Sequence, residues 1–321
     1  MSLSNINSAW KNDLYKLINK TFDYQYADGM NKLSPIISEE DNAAVDFRME
    51  GLGGYGEYAA YNGTTLVSGN QSRGFIKIIT PQEFSKTIDI GYKAAKIDKL
   101  GETKKVGTRL GYAASMSVYL AVLRMFGRAF NANYLGGDGK AWAATDHPNA
   151  SKADANGTST VDSDSGTFSN LITTALSVSA ITAAQSAANR FVTPDGLPFM
   201  CDMNTLLVSP ELEPKAKELC GPNGKLDLTP KLIPESAENG ANPISGMQYI
   251  VIGGGSDGLT AKQWAVCDRT LLKEIAKLVY VTRPTVMEAE LDNPLVHRSV
   301  GYMDYGVGFS DARPIIFSNP A

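Results

Sequence analysis

The chain has 321 residues, 43% of them apolar and 20% charged, with a net charge of −4 and a pI near 5.4. This is an ordinary soluble, globular composition, long enough for one elaborate domain or two simple ones. The acidic balance excludes a surface built to grip nucleic acid, although a shell that merely encloses DNA needs no basic wall.

Residues 1–45 read as an arm. Trp10, Leu14, Leu17 and Ile18 share one helical face, which predicts a short helix near residues 5–20. Phe22, Tyr24 and Tyr26 then alternate as a strand lying on a foreign surface would. So many large aromatics in a weakly organised stretch favour a docking arm over a first layer of the chain's own core. Its first residues hold no apolar run long enough for a signal peptide, and no segment is expected to approach the ~20 apolar residues of a membrane span. Cys201, Cys220 and Cys267 lack CxxC spacing and read as reduced thiols of a cytosolic protein.

Residues 46–90 interleave glycine and tyrosine at Gly51, Gly53, Gly54, Tyr55, Gly56, Tyr58 and Tyr61, then pass SGNQSRG into strand chemistry from Phe75 to Ile90. Two extended limbs with a Gly-rich tip predict a long hairpin. A hairpin is marginal alone in water, so it needs a surface, either its own domain or a neighbouring subunit.

From Glu102 to Tyr134 there is no proline, and Val106, Leu110, Ala113, Leu120, Leu123 and Phe130 trace one stripe, widened by Tyr112, Met116, Tyr119 and Phe126. This predicts a spine helix over 102–135, roughly 45–50 Å long. Its expected core is Leu110, Leu120, Leu123, Phe126 and Phe130. Gly136-Gly137 should stop it. A polar loop over 136–168 follows, either a surface excursion or a mobile insertion. Asn170 to Arg190 reads as a helix, Met203 to Ser209 as a buried strand, and Pro210 to Cys220 as a helix. Gln248–Ile252 and Trp264–Asp268 read as further strands. Together they predict a compact α/β unit over about 170–275. Leu278 to Ser318 is strand-rich and reads as a partner sheet for the spine helix.

Chemical motifs are sparse. Gly253-x-Gly255-x-x-Gly258 imitates a dinucleotide fingerprint but lacks the crossover helix and the acidic residue about 20 positions on, so it reads as a hairpin loop. The two histidines, His147 beside a proline and His297 in a strand, have no marked metal or catalytic partners and read as a loop residue and a packed or solvated one. Asn62-Gly63-Thr64 and Asn156-Gly157-Thr158 read as loops. No catalytic, cofactor or metal residue is expected.

The order of parts, together with ATDHPN (144–149), NTLLVSPELEPKAKEL (204–219) and RPTVMEAELDNPLVHRSVGYMDYGVGFSDARP (283–314), resembles the tailed-phage major capsid proteins of the HK97-like fold, most of all the Mu-like major head subunits. The resemblance covers most of residues 40–318. It implies an α+β fold with an N-terminal arm (1–45), an E-loop hairpin (46–90), a P-domain (91–169) built on the spine helix, an inserted α/β A-domain (170–277) and P-domain return strands (278–321).

It further implies a non-enzymatic subunit that forms hexamers and pentamers of an icosahedral shell in the host cytoplasm and is carried in the virion. The shell would enclose double-stranded DNA without sequence-specific binding, without a membrane, and with a separate scaffolding protein or none, a portal and possibly a decoration protein. Candidate inter-subunit contacts are Trp10, Tyr24 and Tyr26 of the arm and Gly51, Gly53, Gly54, Tyr55, Gly56, Tyr58, Tyr61 and Arg73 of the hairpin. The tip carries Arg73 but no lysine, which argues against the covalent cross-link some relatives use. Three other readings stay open: an encapsulin-type compartment holding a cargo enzyme, an α/β enzyme, and a tail-tube or sheath protein.

Overall fold

The computed structural model describes residues 3–42, 44–54, 56–61, 63–64, 74–97, 102–153, 159–162, 165–220, 243–244, 246–254, 257–289 and 295–321. In chain order the elements begin with α1 (Leu3–Met30), β1 (Ser38–Asp41), β2 (Phe47–Glu50), β3 (Ile76–Ile79), β4 (Gln82–Gly91), α2 (Tyr92–Lys96) and α3 (Glu102–Gly127). Short strands follow: β5 (His147–Pro148), β6 (Ser151–Ala153), β7 (Ser159–Val161), β8 (Thr167–Phe168) and β9 (Leu171–Ile172). Then come α4 (Val178–Ala188), β10 (Thr205–Val208), a 3-10 turn (Pro210–Leu212) and α5 (Glu213–Cys220). The last elements are β11 (Gln248–Val251), β12 (Gly253–Gly254), β13 (Asp257–Gly258), β14 (Trp264–Cys267), α6 (Arg269–Ile275), β15 (Ala276–Ala289), β16 (Val296–Phe309) and β17 (Ile315–Ser318).

The chain divides into two units. Unit one comprises Met1–Phe47, Ile79–Val122 and Lys277–Val307. Its sheet has the order β1-β15-β16-β4. β1 runs parallel to β15, and β4 pairs antiparallel with β16 in unbroken register from Gln82↔Tyr305 to Gly91↔Val296. Leu14, Ile18 and Phe22 of α1 and Leu110 of α3 close a core with Ile90 and Val286. The two helices approach backbone to backbone. A Cβ on Gly107 would lie 2.5 Å from the Ile18 carbonyl oxygen, and one on Gly111 2.6 Å from that of Phe22. Only glycine permits this spacing.

α1 corrects the expectation of a short helix followed by a strand, because it is continuous to Met30. Leu14, Ile18, Phe22 and Met30 are buried at multiples of four residues, while Tyr24 is 78% exposed. Burying that period-four stripe decides the conformation over a local alternation of aromatics. α3 is shorter than expected and stops at Gly127. A Cβ there would lie 2.5 Å from the Gly258 carbonyl oxygen, and the chain tightens into turns with Ala129 N–H donating to Phe126 O. Of the expected stripe, Leu110, Leu123 and Phe126 are buried, Leu120 and Phe130 are half-buried, and Tyr112 is exposed. Val118 and Val122, absent from that stripe, are fully buried. Lys105–Gly127 is by length and composition apolar enough to cross a bilayer, against the expectation that nothing was. Its Leu110, Val118 and Val122 face the protein interior instead.

Unit two comprises Arg48–Ile78, Leu123–Ala276 and Gly308–Ala321. Its sheet has the order β11-β10-β14-β17-β9, with β10 parallel to β11 and antiparallel to β14. α4 and α5 pack on it through Ile181, Ala184, Ala188 and Ala216 against Leu206, Val208 and Trp264. Ser177 caps α4 by accepting from Ala180 N–H, and Asp268 caps α6 by accepting from Thr270 and Leu271 N–H. The helix expected over 170–190 begins only at Val178, because Leu171 and Ile172 are taken as β9 by Phe317 and Ser318. The terminal strands also divide: β15 and β16 lie in the four-stranded sheet, whereas β17 joins β14. The loop over 136–168 is built from two nested strand pairs, β5 with β8 and β6 with β7. β12 and β13 form the hairpin read from the glycine-rich stretch; Gly255 lies outside the described residues.

Candidate assembly interface

The hairpin starts from paired limbs. β2 and β3 form a two-stranded sheet, closed by Gly51 N–H donating to Phe75 O at 2.8 Å. Two carboxylates of unit two brace the limb beyond it. Asp311 Oδ2 accepts Leu52 N–H at 3.2 Å, and Asp195 Oδ2 accepts Gly56 N–H at 3.2 Å. Gly51 and Gly54 are small for reasons internal to the chain. A Cβ on Gly51 would sit 3.3 Å from Asp311 Oδ2, and one on Gly54 2.4 Å from Asp195 Oδ2. Gly56 adopts φ +73°, which glycine takes without strain.

The brace at Asp311 belongs to a buried polar network. Arg313, 2% exposed, donates from Nη1 to Asp311 Oδ2 at 2.8 Å, from Nε to Val192 O at 2.8 Å, and from Nη2 to Asn149 O. Asp311 Oδ1 accepts the N–H groups of Ala312 and Arg313, and its carbonyl accepts Trp142 Nε1–H. Asn170 donates to the carbonyls of Trp142, Ala312 and Ile315. Its side-chain oxygen receives Ala144 N–H and lies 3.1 Å from His147 Nε2. His147 Nδ1 lies 2.5 Å from Asp138 Oδ2.

His147 was expected as a loop residue, but it is 1% exposed and stacks on Phe168. ATDHPN and SDARP, far apart in sequence, thus converge on one buried polar knot, in which Asn149 Oδ1 and Ser310 Oγ are the buried oxygens left without a partner among the described residues. It is structural, since the imidazole has no open face for a substrate. His297 is packed, between Glu288 at 3.1 Å and Ser299 at 3.0 Å, and burial holds its pKa below the usual histidine value. Among the described residues no group of three or more His, Cys, Asp or Glu side chains converges as metal ligands would.

The expected contact residues separate into inward and outward groups. Tyr26 is engaged at home, its hydroxyl 2.6 Å from that of Tyr280, and burial pushes its pKa up to about 12. Gly51 is buried and Gly54 is half-buried, whereas Gly53, Gly56, Tyr24, Tyr58 and Tyr61 are exposed, Tyr58 completely. Tyr55, Arg73 and the side chain of Trp10 lie outside the described residues. Sequence reasoning missed Asn170, Asp311 and Arg313, because nothing local separates a buried Asp-Ala-Arg from a surface one.

No known protein family and no curated protein matches the sequence. Solved structures do match. The chain is similar to the procapsid of bacteriophage JBD30, at TM-score 0.50 and 13% identity over 100% of this chain and 77% of that one. It is also similar to the capsid of the native GTA particle, at TM-score 0.51 and 12% identity over 90% of each chain. The capsid of Ralstonia phage GP4 matches at TM-score 0.51 and 12% identity over 88% of this chain and 86% of that one. The chain has the HK97-like major capsid fold. Among the described residues of the braced hairpin, Tyr58 and Tyr61 are left exposed.

Proposed function

We propose that the chain is the major head subunit of a tailed phage, a structural protein that assembles hexamers and pentamers into an icosahedral shell around the double-stranded DNA genome. The observation that carries this reading is the hairpin: its limb is fixed by Asp311 and Asp195, yet Tyr58 and Tyr61 project from it unburied. A braced ribbon presenting aromatic side chains is a preorganised contact for an identical neighbour. Repeated by rotation, a heterologous contact of this kind generates rings and closed shells.

Within this reading residues 1–45 are the arm, 46–90 the E-loop, 91–169 and 278–321 the P-domain, and 170–277 the A-domain. The motifs around 144–149, 204–219 and 283–314, which resemble the Mu-like head subunits, support that narrower assignment. Scaffolding, portal and decoration proteins are its expected partners, and the virion its destination.

Negative-stain microscopy of the expressed protein, with mass spectrometry of the purified particles, tests the reading. Closed shells that carry no enzyme cargo support it. A ferritin-like or peroxidase cargo identifies an encapsulin-type compartment instead, and helical rods identify a tail component.

A further inference from the structure

Unit one contains an apolar cavity of about 190 Å³ between its helices and the β4–β16 edge of its sheet. Phe22, Phe84, Leu110, Ala113 and Met303 line it. The space exists because β16 carries Gly301 opposite Lys86: a Cβ there would find its nearest neighbour, Leu110 Cδ2, only at 3.6 Å. A dry apolar cavity of about 150 Å³ is enough to hold benzene, so a phenol ring fits here. Lys86, exposed on the edge strand β4, also lines the cavity, and its ammonium makes no hydrogen bond or ion pair with any described residue. One open apolar socket therefore stands beside one uncompensated positive charge.

The matching group is on the hairpin. Tyr58 is fully exposed, and Glu57 beside it is exposed and likewise unpaired among the described residues. Ala59 and Ala60 follow, small enough to let the ribbon lie close. We infer that the cavity receives the Tyr58 ring of a second copy of this chain, with that copy's Glu57 neutralising Lys86. The inference rests on the shell reading and names the receptor for its hairpin. A buried aromatic anchor at the centre of a contact carries a large share of the binding energy. The charge pair adds register and selects against wrong partners.

Two experiments on the full-length protein decide it. In the first, Lys86→Glu and Glu57→Lys each lower shell yield about tenfold, and combining them restores it. Tyr58→Phe assembles normally, whereas Tyr58→Ala loses about tenfold. In the second, one chain carrying Ala59→Cys, which keeps the Tyr58 ring, is co-expressed with another carrying Ser85→Cys, at an exposed residue on the cavity wall. Copper–phenanthroline then produces a disulfide-linked heterodimer that neither variant gives alone. If wild-type shells form but the charge swap shows no rescue and the cysteines do not cross-link, the socket assignment is overturned and the shell reading stands. If wild-type protein forms helical rods in place of rings or closed shells, both are overturned.

Discussion

At the scale of single residues, the buried Asp311–Arg313 pair fixes the base of the hairpin. Asp311 alone satisfies Leu52, Ala312 and Arg313, so Asp311→Ala leaves a buried guanidinium without its counter-ion. Breaking such a pair costs about 3–5 kcal/mol. Calorimetry is expected to show a loss of that size. Hydrogen exchange should show the Leu52 amide losing protection, and unchanged protection would sink the bracing role. His297 supplies a pH dependence. Its folded-state pKa is depressed by burial, so below the unfolded value of about 6.5 the unfolded chain binds the proton more readily. Stability from this group is complete above that pH and falls as pH drops toward the folded value. Urea midpoints measured between pH 7 and 5 should decline, and His297→Gln should flatten the decline.

At the scale of elements, the contact between α1 and α3 is the tightest in unit one. Gly111→Val inserts a side chain where a single Cβ already sits 2.6 Å from a carbonyl oxygen. It should cost at least about 1–3 kcal/mol in thermal denaturation, and a wild-type melting curve would refute the backbone contact. Leu123 is fully buried and Leu120 only half-buried, so the two positions should answer a carboxylate differently. Leu123→Asp is expected to abolish soluble expression, whereas Leu120→Asp should yield folded, weakened protein. Equal outcomes would contradict the observed helix orientation. The residues that misled a linear reading were those with two periodicities at once. Phe22, Tyr24 and Tyr26 alternate, but Phe22 also continues the stripe of Leu14 and Ile18, and only the partner surface of α3 and Ile90 decides between them.

At the scale of the whole molecule, the proposed assembly contact predicts that folding and assembly can be separated at the hairpin. Replacing residues 57–73 by a short glycine linker keeps the braces at Leu52 and Gly56. The variant is expected to elute as a folded subunit in size-exclusion chromatography and to form no shells by microscopy. Intact shells would count against the assembly reading.

The α+β class was implied by the resemblance to the capsid proteins. The spacing of residues by itself marked the paired limbs of the hairpin, the strands at β10, β11 and β14, and part of the apolar side of α3. Those features follow from periodicity and from glycine and proline chemistry, which act over a few residues. Only the tertiary structure decided that α1 runs unbroken to Met30, that β17 leaves β16 to join β14, and that His147, Asn170, Asp311 and Arg313 meet in one knot. Each of those outcomes depends on burial against a partner distant in the chain, and local spacing carries no record of where that partner will be.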